Sequence, residues 1–383
     1  MYSLYIHIPF CRRACHYCDF HFSTTLKRKE EMVNALCKEL ILRKDEAINS
    51  ELQTVYLGGG TPSILSYDEL QQLFHTIFTY YKVSPSAEIT LEANPDDFFR
   101  DSSPQQMLEQ LRSLGINRLS LGVQSFFEED LQLMNRVHSV AQVETLLQIT
   151  PQYFDNITID LIYGIPRMSK ERWQENINKA LSFDIPHISA YALTVEEKTA
   201  LHKFIATGKI APISDEQAYT HFQMLIDTLE AEGFIQYEFS NFGKEGYFSR
   251  NNTAYWFGKP YMGIGPSAHS FNGKERSWNI AHNIKYIQQI QQEILPQEKE
   301  ELTLNNRYNE LIITRIRTMV GIDLEEVKTF FGEDYNQYLL QQAQKYLADE
   351  LLEIEENHLK VTRKGKFLSD GIASDLFRVD DLI

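Results

Sequence analysis

Apolar, β-rich runs recur along the first half of the chain, with segments of helical spacing between them. Six runs stand out: "SLYIHIPF" from Ser3, "TVYLGGG" from Thr54, "AEITLEAN" from Ala87, "RLSLGVQS" from Arg118, "NITIDLIYG" from Asn156 and "HISAYALT" from His187. Helical patterns cover residues 27–48, 66–83, 104–114, 128–150 and 169–183; Met32, Leu36 and Leu40 share one face, and Ser66 with Glu69 forms a capping-box pattern. Short strands joined by helices need right-handed crossovers and cover on both faces. The α/β class follows, as a doubly wound sheet or a barrel of the (β/α) type. In a barrel, chemistry gathers at the carboxyl ends of the strands, and those ends are polar or Gly-rich here: "CRRAC", "GGGTP", "EANPD", "GVQSF" and "DLIYG".

From about residue 197 the alternation loosens. Helical stretches at 197–206 and 215–232 precede "YEFSNF", "AYWFG" and "GIGPSAHSF". Beyond residue 300 come helical patterns at 303–319, 322–331 and 334–348 and then the alternating "LLEIEENHLKVT", a set that resembles a winged-helix module. Its ten Lys and Arg against sixteen Asp and Glu argue for a lid or docking domain instead of a DNA reader. The expected division is a barrel core over 1–196, a barrel extension over 197–299 and a C-terminal winged-helix-like domain over 300–383.

With 383 residues, 43% of them apolar, the chain has material for one large unit and one small one. A net charge of −16 opposes polyanion binding, so nucleic acid is not an expected partner, while a local basic pocket for a small anion stays compatible. No apolar stretch approaches the length needed to cross a bilayer, and the N-terminus reaches His7 before a signal-peptide core could form; a cytoplasmic location is expected. Of the four cysteines, Cys37 lies alone in a helical pattern. Cys11, Cys15 and Cys18 are too close together for a disulfide framework, which leaves metal or redox chemistry.

Structural zinc wants four ligands, usually as two separated pairs, and His7, His16 or His21 would have to complete the sphere from the same loop. A c-type haem attachment needs a cysteine at position 12, which is Arg12. An iron-sulfur cube is normally held by four cysteines, so three leave one iron open for a ligand.

Cys-x-x-x-Cys-x-x-Cys after the first strand of a β-α repeat resembles the signature of the radical S-adenosylmethionine superfamily. The resemblance implies a partial (β/α)6 barrel, a [4Fe–4S] cluster on Cys11, Cys15 and Cys18, and S-adenosylmethionine chelating the open iron. An electron from the cluster then cleaves the sulfonium to a 5′-deoxyadenosyl radical. It further implies that "GGGTP" is the family's glycine motif, in which Gly58, Gly59 and Gly60, lacking β-carbons, let the backbone approach the cofactor. Glu92, Gln124 and Asp160 would serve its ribose and adenine, and Arg136 its carboxylate. Tyr5 would sit beside the cluster, and Tyr17 and Thr61 complete the cofactor-binding set.

"LYIHIPFC", "YLGGGTPS", "LEANPD", "RLSLGVQSF", "IDLIYGIP", "SAYALT" and "GIGPSAHSF" extend the resemblance to the oxygen-independent coproporphyrinogen oxidase group over nearly the full chain. That group contains the coproporphyrinogen III dehydrogenases, which decarboxylate propionate side chains, and the HemW haem chaperones, which bind haem and pass it on. The dehydrogenases carry a further cysteine two residues after the third; here it is Phe20, an inert ring. Their extended N-terminal segment also has no counterpart before the first strand. Both departures match the chaperone pattern, which implies haem or porphyrin as cargo, haem-accepting respiratory proteins as receivers, transient contact with membrane proteins, and an electron donor such as flavodoxin or ferredoxin. One position departs from it: "NNTAYW" has Asn251 where the chaperones often have histidine, and an amide cannot replace an axial imidazole. His269, His16 and His21 are the candidate substitutes, and Tyr255 and Trp256 either stack on a porphyrin or fill a core.

Overall fold

Strands buried on both faces need nearly continuous apolar runs, and the six runs supply them. In the computed structural model, which describes residues 2–212 and 214–379, they form β1 (Tyr2–Ile8), β2 (Leu52–Gly59), β3 (Val83–Ala93), β4 (Arg118–Gln124), β5 (Asn156–Tyr163) and β6 (His187–Ala192). Each pairs in parallel with the next. The sheet then grows at both edges. After β6 come β8 (Asn241–Gly243) and β7 (Ile235–Glu238), both antiparallel; beyond β1 lie β9 (Tyr261–Ile264), which is parallel to it, and the antiparallel β10 (His269–Phe271), β11 (Glu275–Asn279) and β12 (Gln297–Glu301). β1 and β6 do not pair, so the barrel is open, yet residues at the carboxyl ends of all six strands line one cavity, which requires the sheet to curl around it.

Outward positions such as Leu4, Ile6, Val55 and Leu57 pack beneath Met32, Leu36, Leu40, Leu73 and Phe74 of the covering helices. Polar residues are buried in the same strands: Thr54, Glu88, Thr90, Arg118, Thr158, His187 and Ser189. Two of them, Thr54 and Glu88, meet the helix Arg250–Trp256 at the end of the barrel remote from the cavity. Glu88 accepts the N–H groups of Arg250 (3.0 Å) and Asn251 (3.1 Å), a carboxylate on the unpaired donors of a helix N-terminus.

The boundaries differ from the periodicity where tertiary contacts outweigh it. The pattern over 128–150 predicts one helix, but two form, Glu128–Leu133 and Val140–Ile149. Asn135 takes a left-handed φ of 60° between them, and Ser139 with Gln142 caps the second. The helix expected over 303–319 ends at Arg315, and the next pattern opens as a strand, β13 (Ile322–Asp323).

The C-terminal helices Leu304–Arg315, Leu324–Phe331 and Glu333–Ala348 pack with a sheet of β13, β15 (His358–Val361) and β14 (Leu352–Glu355) around a separate apolar core of Tyr308, Ile312, Val327, Leu339 and Leu359. Three helices and a winged hairpin are the expected arrangement. The intervening segment supplies strands to both edges of the barrel sheet, and β12 runs through residue 300. We propose unit boundaries near residues 196 and 301.

One buried network ties the first helix to the β9–β11 edge. Glu39, with no exposure, meets Arg43 (3.2 Å), Asn279 (2.8 Å), Tyr286 (2.5 Å) and Gly265 N–H (2.8 Å), while Arg43 also donates to Gly263 O (2.7 Å). Arg43→Ala leaves that carboxylate without a cation and is expected to cost about 3–5 kcal/mol in a denaturant titration. Glu46→Ala, at the open end of the same pair, is expected to cost under about 1 kcal/mol; equal small losses would contradict a structural role for the buried pair.

Candidate cofactor site

The cysteine loop has no secondary structure of its own and is held from four sides. At its base Cys11 N–H donates to Ser23 O (3.1 Å) and Ser23 N–H to Pro9 O (2.9 Å). From β1, His7 Nε2 contacts His21 O (2.8 Å); a carbonyl can only accept, so the proton sits on Nε2 and Nδ1 accepts from Tyr5 Oη (3.1 Å). Burial pushes His7 down to about 4, which keeps this neutral tautomer. On the third side Arg12 pairs with Asp97 (2.9 Å), itself fixed by Ser63 (2.7 Å). The fourth is the break between the two helices: His16 N–H donates to Met134 O (3.1 Å), His16 Nδ1–H to Leu133 O (2.7 Å) and Asn135 Nδ2 to Ala14 O (2.7 Å). The interruption that the periodicity concealed is the clasp on the loop.

The loop faces a cavity of about 750 Å³ at the carboxyl ends of the strands. Cys11, Cys15, Cys18, Tyr17, Gly59, Gly60, Thr61, Glu92, Gln124, Arg136 and Asp160 all line it. Tyr5 and Gly58 are the exceptions among the anticipated residues: neither lines the cavity, and the Tyr5 ring stacks on Tyr56 with centroids 6.2 Å apart.

Packing alone already requires two of the glycines. A β-carbon on Gly59, which has φ of +100°, would lie 2.3 Å from the His7 ring, and one on Gly60 would lie 2.5 Å from Phe10 O. The protein's own packing against the cysteine loop already excludes side chains there. Gly59 N–H donates to Glu92 (3.1 Å), which also accepts from Tyr56 Oη (2.7 Å). Burial raises Glu92 to about 7, helped by the charge of Asp160, and raises Asp160 to about 6 against the pull of Arg118 and Ser189. Both carboxyls therefore titrate near neutrality. Gln124 holds a left-handed φ of 69° at the end of β4, a sparsely populated conformation of the kind that clusters at functional sites.

The donor set fits the implied group. Cys11 and Cys18 are pushed up, Cys18 to about 11, chiefly by burial, so thiolates there need a cation or hydrogen-bond donors. Donors are in place: Thr61 Oγ1 lies 3.5 Å from Cys11 Sγ and Arg136 Nη1 lies 3.4 Å from Cys15 Sγ. Arg136 is further fixed by Asn94 Oδ1 (2.6 Å) and Gly122 O (2.9 Å), while its buried Nε has no partner. Among the described residues no three His, Cys, Asp or Glu side chains converge to hold a single metal ion.

The anticipated haem residues lie elsewhere. Asn251 is buried in the helix at the remote end of the barrel, its Oδ1 accepting from Thr54 (3.0 Å). His16 and His21 are engaged in holding the loop and its flank, His21 through Asn283 (2.7 Å), and His269 lies on β10 near Trp278. Tyr255 meets Tyr261 edge-on, and Trp256 lies under Arg317. None of these lines the cavity. The sequence reading missed Asn94 and Tyr191, although "EANPD" and "HISAYALT" contain them, and also Phe222, Arg317, Lys366 and Phe367, which reach the cavity from distant segments with no local signal.

A family model for the radical SAM superfamily matches residues 5–180, and one for the HemN C-terminal domain matches residues 302–368. A protein of Bacillus subtilis named "Heme chaperone HemW" is 34% identical over 380 residues, which span 97% of this chain and 98% of the relative. Its namesake in Mycobacterium tuberculosis is 31% identical, spanning 98% and 94%. The solved coproporphyrinogen III oxidase HemN of Escherichia coli shares the fold, with a TM-score of 0.84 at 24% identity over 98% of this chain and 90% of that one. The class is that of the radical S-adenosylmethionine proteins, and within it this chain belongs to the HemW family.

Because the folded state holds the Glu92 proton more tightly than the unfolded chain does, this group's contribution to stability is full below about pH 4.5 and is lost as pH rises toward about 7. Glu92→Gln is expected to remove that slope from the difference between variant and wild-type unfolding curves, a change on the order of 3 kcal/mol between the two ends. Parallel curves across the window would contradict a buried, protonatable Glu92.

Proposed function

We propose that this protein is a haem chaperone that carries a [4Fe–4S] cluster on Cys11, Cys15 and Cys18 and S-adenosylmethionine at the iron they leave open, and that it takes up haem and hands it to a respiratory haem protein. In this reading it acts in the cytoplasm, meets a membrane-bound receiver transiently, and receives electrons from a flavodoxin or ferredoxin. Among the described residues no helix is long and apolar enough to cross a membrane. The chaperone names of its relatives over nearly the whole chain support the reading.

When bound, the reduced cluster supplies an electron to the sulfonium of the cofactor. The chain's own residues bind and orient. Arg136 steadies the Cys15 thiolate, and Thr61 steadies that of Cys11. Glu92 and Asp160, titrating near neutrality, accept from hydroxyls at modest electrostatic cost, and Gln124 offers an amide to the base. Tyr17 closes the cavity from within the loop.

Phe20 carries the choice between chaperone and dehydrogenase. It is 69% exposed and lines the cavity, where the dehydrogenases of the resembled group have a thiol. A phenyl ring neither donates nor stores a proton or an electron.

Anaerobically reconstituted protein is expected to bind haem saturably at low micromolar concentration and to form no protoporphyrinogen from coproporphyrinogen III with S-adenosylmethionine and reductant. Cys15→Ala is expected to lose the cluster's absorption. Catalytic accumulation of protoporphyrinogen, or no haem uptake at that concentration, would overturn the assignment.

A further inference from the structure

The cavity has a second wall that the cofactor residues leave unused. Tyr163 at the end of β5 stacks on Phe222 (centroids 6.2 Å apart), and Phe222 meets Phe367 of the C-terminal unit (6.3 Å). Two cations from the same C-terminal unit face the cavity beside them. Arg317, set against the rings of Phe239 (5.4 Å) and Trp256 (5.6 Å), pairs with Asp370 through Nη1 (2.6 Å), while its Nε is buried without a partner. Lys366 donates to Gln236 Oε1 (2.5 Å), a neutral acceptor, and no carboxylate pairs with it among the described residues. Burial pushes the Lys366 ammonium down, the charge of Glu230 opposing it and that of Arg363 adding to it, and an incoming carboxylate would reverse the net penalty.

The lining offers no imidazole. No described histidine lines the cavity; of its phenols, Tyr163 and Tyr191 are held protonated chiefly by burial, which makes them poor ligands for iron, and Tyr17 belongs to the cysteine loop. What the wall presents is aromatic surface flanked by two under-satisfied cations, complementary to a planar macrocycle bearing two carboxylates.

We propose that this wall binds haem by its periphery: the aromatic side chains take the ring, Arg317 and Lys366 take its propionate carboxylates, and the iron receives no histidine from the cavity. The C-terminal unit is then part of the cargo site. Asp370 orients Arg317 through Nη1, which leaves Nη2 for the ligand. The inference rests on the chaperone reading and adds that recognition is blind to the metal.

The test is an anaerobic titration of the full-length, cluster-loaded protein with haem, with iron-free protoporphyrin IX and with haem dimethyl ester, followed by absorption and protein fluorescence. Wild-type protein is expected to bind haem and protoporphyrin IX within about threefold of each other and the ester about tenfold or more weaker, as loss of charge-assisted hydrogen bonds requires. Lys366→Met and Arg317→Gln are each expected to weaken haem about tenfold and to narrow the gap between haem and its ester. The ester comparison needs no variant, so a misfolded mutant does not obscure the result. Haem binding with equal affinity for the ester, or a tenfold preference for haem over the iron-free ring, overturns this inference and leaves the chaperone reading standing. No binding of haem by wild-type protein removes both.

Discussion

The site depends on holding an irregular loop still. Three thiols in eight residues cannot be presented by a helix or a strand, so their positions come from contacts outside the loop. His7 reaches the far flank from β1, Arg12 pairs with Asp97, and the interrupted helix supplies two carbonyls and Asn135. Gly59 belongs to this frame, because any side chain there would displace the His7 ring on which the flank rests. A cube that needs three sulfurs in fixed relation depends on this frame before the metal arrives.

Beneath the loop, the barrel carries carboxyls whose charges burial opposes. Burial raises the proton affinity of both Glu92 and Asp160, the Asp160 charge raises that of Glu92 further, and Arg118 opposes both. Such a lining is costly as core and useful as a receptor, since it exchanges protons or hydrogen bonds near neutral pH without large rearrangement. The barrel's remote end is filled instead by Asn251 and Glu88, an internal cap with satisfied partners. Asn251 therefore lies in this cap and not at the cavity, and its amide has a structural partner in Thr54.

Much of this was legible in the sequence because the signals were local. Six strands, the capping box at Ser66 and the hairpin near the C-terminus follow from periodicity and turn residues, and the cysteine spacing with "GGGTP" pointed to the chemistry. What was not legible depends on distance. The 128–150 helix breaks because Asn135 and Arg136 are needed by a loop more than a hundred residues away, which no window of periodicity contains. The antiparallel edges were hidden in short strands such as β8 and β10, too brief for a pattern. Arg317, Lys366 and Phe367 lie in a module with a net acidic count, so composition masked two cations that only the fold brings to the cavity.

The account turns on one iron left without a cysteine. The most direct measurement is the EPR spectrum of the reduced, anaerobically reconstituted protein before and after S-adenosylmethionine is added, with iron and sulfide determined on the same sample. A four-iron signal that changes when the cofactor coordinates the open site is the predicted result. Zinc in place of iron and sulfide, or a cluster spectrum indifferent to the cofactor, would contradict it.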